Sequence, residues 1–143
     1  MTPQQLAEAC AAAMWAEDRA SAGLGMRIAR IAPGEADLTM VVEPRMVNGH
    51  GICHGGFIFA LADSAFAFAC NSFNRRAVAQ SNSITYLRPA KLGDTLTARA
   101  VQTNAAGRSG ITDVTVSDGE GKPVAVFRGL SRIIEGHLVE VTP

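Results

Sequence analysis

The stretch Asn48–Asn71, NGHGICHGGFIFALADSAFAFACN, decides the fold of this chain. It opens with glycines and two histidines, then turns almost wholly apolar from Phe57 to Cys70, where Asp63 and Ser64 are the only polar side chains. Alanine and phenylalanine at this density, with no Pro and no Gly beyond Gly56, favour a helix over a strand. A helix that is apolar on every side is expected to be buried. Between Glu43 and Asp94 the only acidic residue is Asp63. A carboxylate halfway along a buried helix is costly unless it is paired, hydrogen-bonded or neutralised, so its presence points to a function.

Upstream of this helix, Thr2-Pro3 reads as a helix start, with Thr2 as N-cap and Pro3 in the first turn. The N-terminal helix is expected to reach about Ala20 and to be broken by Gly23 and Gly25, so residues 1–22 form one helical segment. MRIARI, residues 26–31, alternates apolar and basic residues as a half-exposed strand does, and Pro33-Gly34 turns it back into ADLTMVV, residues 36–42. Downstream, four strands are expected near residues 77–87, 95–104, 111–117 and 124–134, separated by turn signals such as Asp118-Gly119. Residues 135–143 show no pattern and are expected to fray. Strands that follow one another across short turns make an antiparallel meander. One curved antiparallel sheet wrapped round one long apolar helix, with an N-terminal helix added, is an α+β hotdog fold.

At 143 residues the chain reads as a single domain, 1–143, able to build a core without disulfides or metals. Its formal net charge of zero argues against nucleic acid or an acidic membrane as the main partner. Cys10, Cys53 and Cys70 show no pairing pattern, which suits a reducing cytoplasm. The Cys53-His54 pair offers a zinc ion too few ligands, so no metal is expected. Glu8, Glu17 and Asp18, with no early basic residue, are unlike a signal peptide, and Asp63 interrupts the one long apolar run, so no membrane span is expected.

Three blocks carry a resemblance to a known family: NGHGxCHGGxxFxLADxAFAxAC from Asn48, SxxITYLRPAKxGDTLTA from Ser81, and VAxFRG from Val124. With these the chain, from about Leu24 to Arg132, resembles the phenylacetic-acid-degradation thioesterases, a branch of the hotdog-fold acyl-CoA thioesterases. The resemblance implies hydrolysis of an aryl-acetyl thioester of coenzyme A, with coenzyme A as part of the substrate and no separate cofactor. It also implies a homotetramer built from hotdog dimers. In the family, the amide at the Gly55 position polarises the thioester carbonyl and the carboxylate at the Asp63 position either activates water or attacks the carbonyl. The residue at the Asn48 position bonds the acyl carbonyl or the water, and a Ser or Thr on the strand after the helix positions that water; Ser81 and Ser83 are the neighbouring choices here.

The residues themselves bear on each of these roles. Gly55 and Gly56 fall at the helix N-terminus, where unpaired N–H groups and partial positive charge suit an oxyanion, although a tight turn would also require small residues. Asp63 shares a helix face with Phe59, Phe66 and Ala67, an apolar setting that should raise its pKa toward the range of a useful base. Asn48 in a Gly-rich loop fits either a turn or a substrate contact, and His54 either orients the loop or touches the substrate. For the phosphates of coenzyme A the candidates are Arg88, Arg108 and Arg128, each of which reads equally as a solvated surface residue. Gly55 and Asp63 stand eight residues apart, about 12 Å along a helix, too far for both to act on one carbonyl within a single chain. If both act, each site is shared between two chains related by a two-fold axis.

Rival chemistries of the same architecture lack their residues. A hotdog hydratase needs a His about five residues after the Asp, where Phe68 stands, and a dehydratase needs a helix Glu, which this helix does not have. A non-catalytic acyl-CoA or small-ligand binding protein is the main alternative, and it would show no turnover.

Overall fold

The computed structural model describes residues 1–141. The N-terminal segment is helical as expected but in two pieces, α1 (Pro3–Glu17) and the short α2 (Arg19–Gly23). Thr2 and Gln5 cap α1 reciprocally: the Gln5 N–H donates to Thr2 Oγ1 at 3.1 Å and the Thr2 N–H to Gln5 Oε1 at 2.9 Å. The break falls at Asp18, whose carboxylate accepts from the Ser21 N–H and hydroxyl and so starts α2. The hairpin follows as β1 (Arg27–Ala32) and β2 (Glu35–Val41), then one 3₁₀ turn at Pro44–Met46 and the central helix α3 (Gly55–Cys70). The remaining strands are β3 (Ala77–Tyr86), β4 (Thr95–Ala106), β5 (Ser109–Ser117) and β6 (Pro123–Ile133). This is the hotdog fold that the sequence implies: one six-stranded antiparallel sheet curved against one long helix.

The sheet is not a simple meander. Its order is β1-β2-β4-β5-β6-β3, so β3 pairs with β6 and never touches β4 in the sheet. The connector from Leu87 to Asp94 carries the chain across the sheet, held by Ile52↔Lys91 bridge pairing and by the Cys53 N–H donating to the Ala90 carbonyl at 2.8 Å. Local turn signals mark where the chain bends but not which strand it joins next. One consequence is that β3 is an edge strand, with one side of its backbone unpaired.

α3 rests mainly on β2, β4 and β5. Ile58, Leu61, Ala62, Ala65, Phe66, Phe68 and Ala69 are buried against alternating inward residues such as Leu38, Met40, Leu96, Val114 and Val116. Phe66 occupies the space a side chain at Gly129 would need, since a Cβ there would lie 2.6 Å from the ring. The expectation of burial on every side is corrected in one respect: Ala60, Asp63, Ser64 and Ala67 form a half-exposed stripe, and Gly56 is exposed. The sheet curls round only part of the helix, and this stripe of small and polar residues is left half-exposed. All three cysteines are free and buried.

The C-terminal tail also differs from expectation over its described part, because Asn74 pins it through Val139, while residues 142–143 lie outside the described residues. Asn74 sits at φ 60°, a left-handed conformation that Asn tolerates better than most residues. Its Oδ1 accepts from the Leu138 and Val139 N–H groups, each at 2.9 Å, and its Nδ2 donates to the Val139 carbonyl at 2.9 Å. Asn74→Ala loses these bonds and strains the backbone, so it should lower stability by about 2–4 kcal/mol. Chemical denaturation measures this, and the tail should become protease-sensitive first.

Candidate active site

The Gly-rich segment before α3 forms a closed loop. Val47 and Cys53 pair across it, the Asn48 N–H donates to the Ile52 carbonyl at 2.8 Å, and Gly51 supplies the left-handed turn at φ 79°. The Asn48 side chain braces the same loop, its Oδ1 accepting from the His50 N–H at 2.9 Å and the Ile52 N–H at 3.3 Å. Its Nδ2 has no partner among the described residues, so Asn48 organises the loop and still carries a free donor.

His54 caps α3. Its Nδ1 accepts from the Gly56 N–H at 2.9 Å, which puts the proton of a neutral ring on Nε2, and its carbonyl accepts from the Phe57 N–H at 3.0 Å. Two of the three N-terminal amides of the first turn are thereby occupied. The Gly55 N–H has no acceptor among the described residues, and it lies where the helix dipole favours negative charge. Gly56, a sequence candidate for substrate contact, has its amide committed to His54. Cys53 does not join as a nucleophile: burial pushes its thiol up, and its sulfur lies 3.5 Å from the His54 carbonyl oxygen.

Tyr86, at the end of β3, is a neighbour that sequence reasoning missed. Its hydroxyl donates to the Gly55 carbonyl at 2.8 Å, and its ring fills the space beside Gly55, where an added Cβ would lie 2.9 Å from it. The Gly55–Gly56 peptide is thus held at both ends, its carbonyl by Tyr86 and its N–H by His54. Gly55 is required here by close approach rather than by a special backbone angle.

Asp63 lies two turns along α3, half-buried. Burial pushes its carboxyl above the usual carboxylate range, and a hydrogen bond from Asn82 offsets part of that rise. Asn82 Nδ2 donates to Asp63 Oδ1 at 3.1 Å, while Oδ2 has no partner among the described residues. Phe59, one turn earlier, stacks edge-on against Phe127 with ring centres 5.5 Å apart, and Ala67 lies one turn later on the open stripe.

Among the described residues neither Ser81 nor Ser83 hydrogen-bonds Asp63, which pairs with Asn82 instead. A β-bulge between Ala79 and Ser81 reverses the alternation of β3, so Asn82 and Ile84 point to the helix and both serines are exposed. Chemically, the loop offers a fixed N–H donor for a developing oxyanion, and the helix offers a carboxylate with one oxygen free to take a proton. These two groups stand at different levels of one helix, and five prominent cavities of the isolated chain are lined by neither Gly55 nor Asp63.

Residues 50–125, which include Gly55, Asp63, Asn82 and Tyr86, match the family model of the thioesterase superfamily. The chain belongs to that superfamily. The thioesterase is 44% identical over 124 residues to the Escherichia coli acyl-coenzyme A thioesterase PaaI, an alignment spanning 87% of this chain and 89% of that protein. The solved structure of E. coli PaaI, from the phenylacetic acid degradation operon, superposes with a TM-score of 0.93 at 42% identity, covering 95% of this chain and 99% of the other. A Streptococcus mutans protein solved with acetyl-CoA bound has a TM-score of 0.75 at 28% identity, covering 78% and 90%. The thioesterase therefore falls in the PaaI branch and is a thioester hydrolase.

The three arginine candidates separate in the fold of this thioesterase. Arg128 lies on the outer face of the sheet and makes a two-pronged pair with Asp113 across the β5–β6 pairing, Nε to Oδ1 at 2.7 Å and Nη2 to Oδ2 at 2.9 Å. Its guanidinium is thus engaged by a carboxylate on the neighbouring strand rather than free. Arg108 is exposed in the β4–β5 turn, at the Cys70 end of α3. Arg88 is exposed two residues beyond Tyr86, at the Gly55 end. Among the described residues no group of three or more His, Cys, Asp or Glu could hold a metal, and no helix is long and apolar enough to cross a membrane.

Proposed function

We propose that this protein hydrolyses aryl-acetyl thioesters of coenzyme A, phenylacetyl or hydroxylated phenylacetyl, at two equivalent sites shared between paired chains. The observation that carries the reading is the free Gly55 N–H at the start of α3, set about 12 Å along the axis from the half-free carboxylate of Asp63. In this reading the Gly55 amide of one chain binds the thioester carbonyl while Asp63 of the other accepts a proton from the attacking water. The oxyanion then collapses and coenzyme A leaves as its thiolate. Asn48 Nδ2 adds a second donor beside Gly55, His54 holds the loop, Phe59 and Ala67 flank the acyl group, and Arg88 and Arg108 meet phosphates. No metal or organic cofactor takes part.

Pairing of chains is supported by two surfaces of the isolated protein. The outer edge of β3 is unpaired, and the stripe of α3 around Asp63 is half-exposed. A two-fold axis that extends the sheet through β3 would bring the two helices together, and two such dimers would make the tetramer. The aryl-acetyl preference rests on the PaaI branch and its operon, and acyl-CoA binding on the neighbour solved with acetyl-CoA.

A panel of thioesters, including phenylacetyl-, hydroxyphenylacetyl-, benzoyl- and medium-chain acyl-CoA, tests this with a thiol-reactive dye that reports free coenzyme A. The aryl-acetyl substrates should give the highest kcat/KM. An optimum on aliphatic chains sinks the aromatic assignment, and no thiol release with any member sinks the hydrolase in favour of an acyl-CoA binding protein.

A further inference from the structure

Asn82 is poorly explained as a structural residue. It stands on the inward face of β3 with Ala77 and Ile84, opposite Gly129 of β6, at a position where an apolar side chain would pack. Its Oδ1 is buried and has no hydrogen-bond partner among the described residues. An amide retained for stability would use both ends, because a buried acceptor left unpaired works against the fold. Among the described residues its one side-chain hydrogen bond runs from Nδ2 to Asp63 Oδ1 at 3.1 Å.

We propose that Asn82 is a positioning residue for Asp63, fixing one carboxylate oxygen so that the other faces the thioester and its attacking water. This rests on the reading of Asp63 as the base. A carboxylate on a half-open helix stripe has two rotatable bonds and, without a tether, turns either oxygen toward solvent. A single donor on Oδ1 selects one orientation and leaves Oδ2 to take the proton. The free N–H of Gly55, beside a Gly55–Gly56 peptide held by His54 and Tyr86, supplies the other half of the geometry from the partner. Asn82, between Ser81 and Ser83 on the strand after the helix, thus acts on the base rather than on the water.

The test uses the full-length protein with its best thioester from the panel. Asn82→Leu keeps the volume and removes both polar ends, and Asn82→Ala removes them without risk of overpacking, so one folded variant suffices. Each should lower kcat about tenfold, the scale of a misplaced catalytic group, with KM changed less than about threefold. The decisive readout is the double variant with Asp63→Asn: once the base is gone, losing Asn82 should cost less than about twofold more. An unchanged kcat in a folded Asn82 variant overturns the proposal. So does a full tenfold further loss in the Asp63→Asn background, which marks a structural role independent of the base. If Asp63→Asn alone retains activity, the reading of Asp63 fails, and this proposal with it. If Asp63→Asn is inactive and the Asn82 variants are not, only this proposal fails.

Discussion

Asp63→Asn should lower kcat by about a hundredfold or more, the scale of losing general-base help. Asparagine keeps the shape of the side chain and cannot accept the proton of water at neutral pH. The fold should survive, because the change removes the part-buried charge that α3 otherwise carries. The pH dependence follows from the direction of the Asp63 shift. Burial raises its pKa, and the bond from Asn82 recovers part of the rise. As a base it must be deprotonated, so kcat/KM should fall as pH drops through a value above the ordinary carboxylate range. Stability has the opposite sign. With the folded pKa above the unfolded one, the native state binds more protons in that window, and stability declines as pH rises through it. Asp63→Asn removes this decline, so the variant should be as stable as the wild type at neutral pH, or more so. Stopped-time assays across pH, with circular dichroism for the fold, check all three statements. Near wild-type turnover in Asp63→Asn would end the case for this residue.

The parts of the site legible in the sequence are those whose signal is local. A single carboxylate in an apolar helical run and a pair of glycines at its start can be read from composition and spacing alone. The cap by His54 spans only two residues, yet the sequence suggested a loop-orienting or substrate-touching role for it and not a helix cap. Asn82, Tyr86 and Arg128 depend on pairing between strands distant in sequence. One extra residue in the bulge of β3 moves Asn82 inward and Ser81 outward, and simple alternation from Ala77 predicts the reverse. Arg128 is tied to Asp113 only because β5 and β6 pair in that register. Tyr86 meets Gly55 only because β3 crosses to the far edge of the sheet, and the turn residues at Arg88-Pro89 do not encode that choice.

The prediction with the greatest reach is that two inactive variants restore each other. Gly55 and Asp63 lie on one continuous helix, about 12 Å apart along its axis, whereas attack requires the reacting atoms within about 3.5 Å. If both groups serve one carbonyl, they come from different chains. Asp63→Asn removes the base. Gly55→Pro removes the amide donor, and proline is well suited to the first position of a helix. Its ring would meet the Tyr86 phenol, which lies 2.9 Å from an added Cβ. Tyr86 is half-exposed and can swing toward solvent, so the variant should fold; its melting curve must show this first. Each homodimer then has two damaged sites. In a mixed dimer one site carries both lesions and the other carries neither. Random one-to-one pairing makes about half the dimers mixed, each with one intact site of two, so co-expression with two tags should recover about a quarter of wild-type activity. Zero recovery with subunit exchange proven by the tags would place both groups in the same chain's site. The helix arithmetic forbids that arrangement, so one of the two assignments would have to be given up.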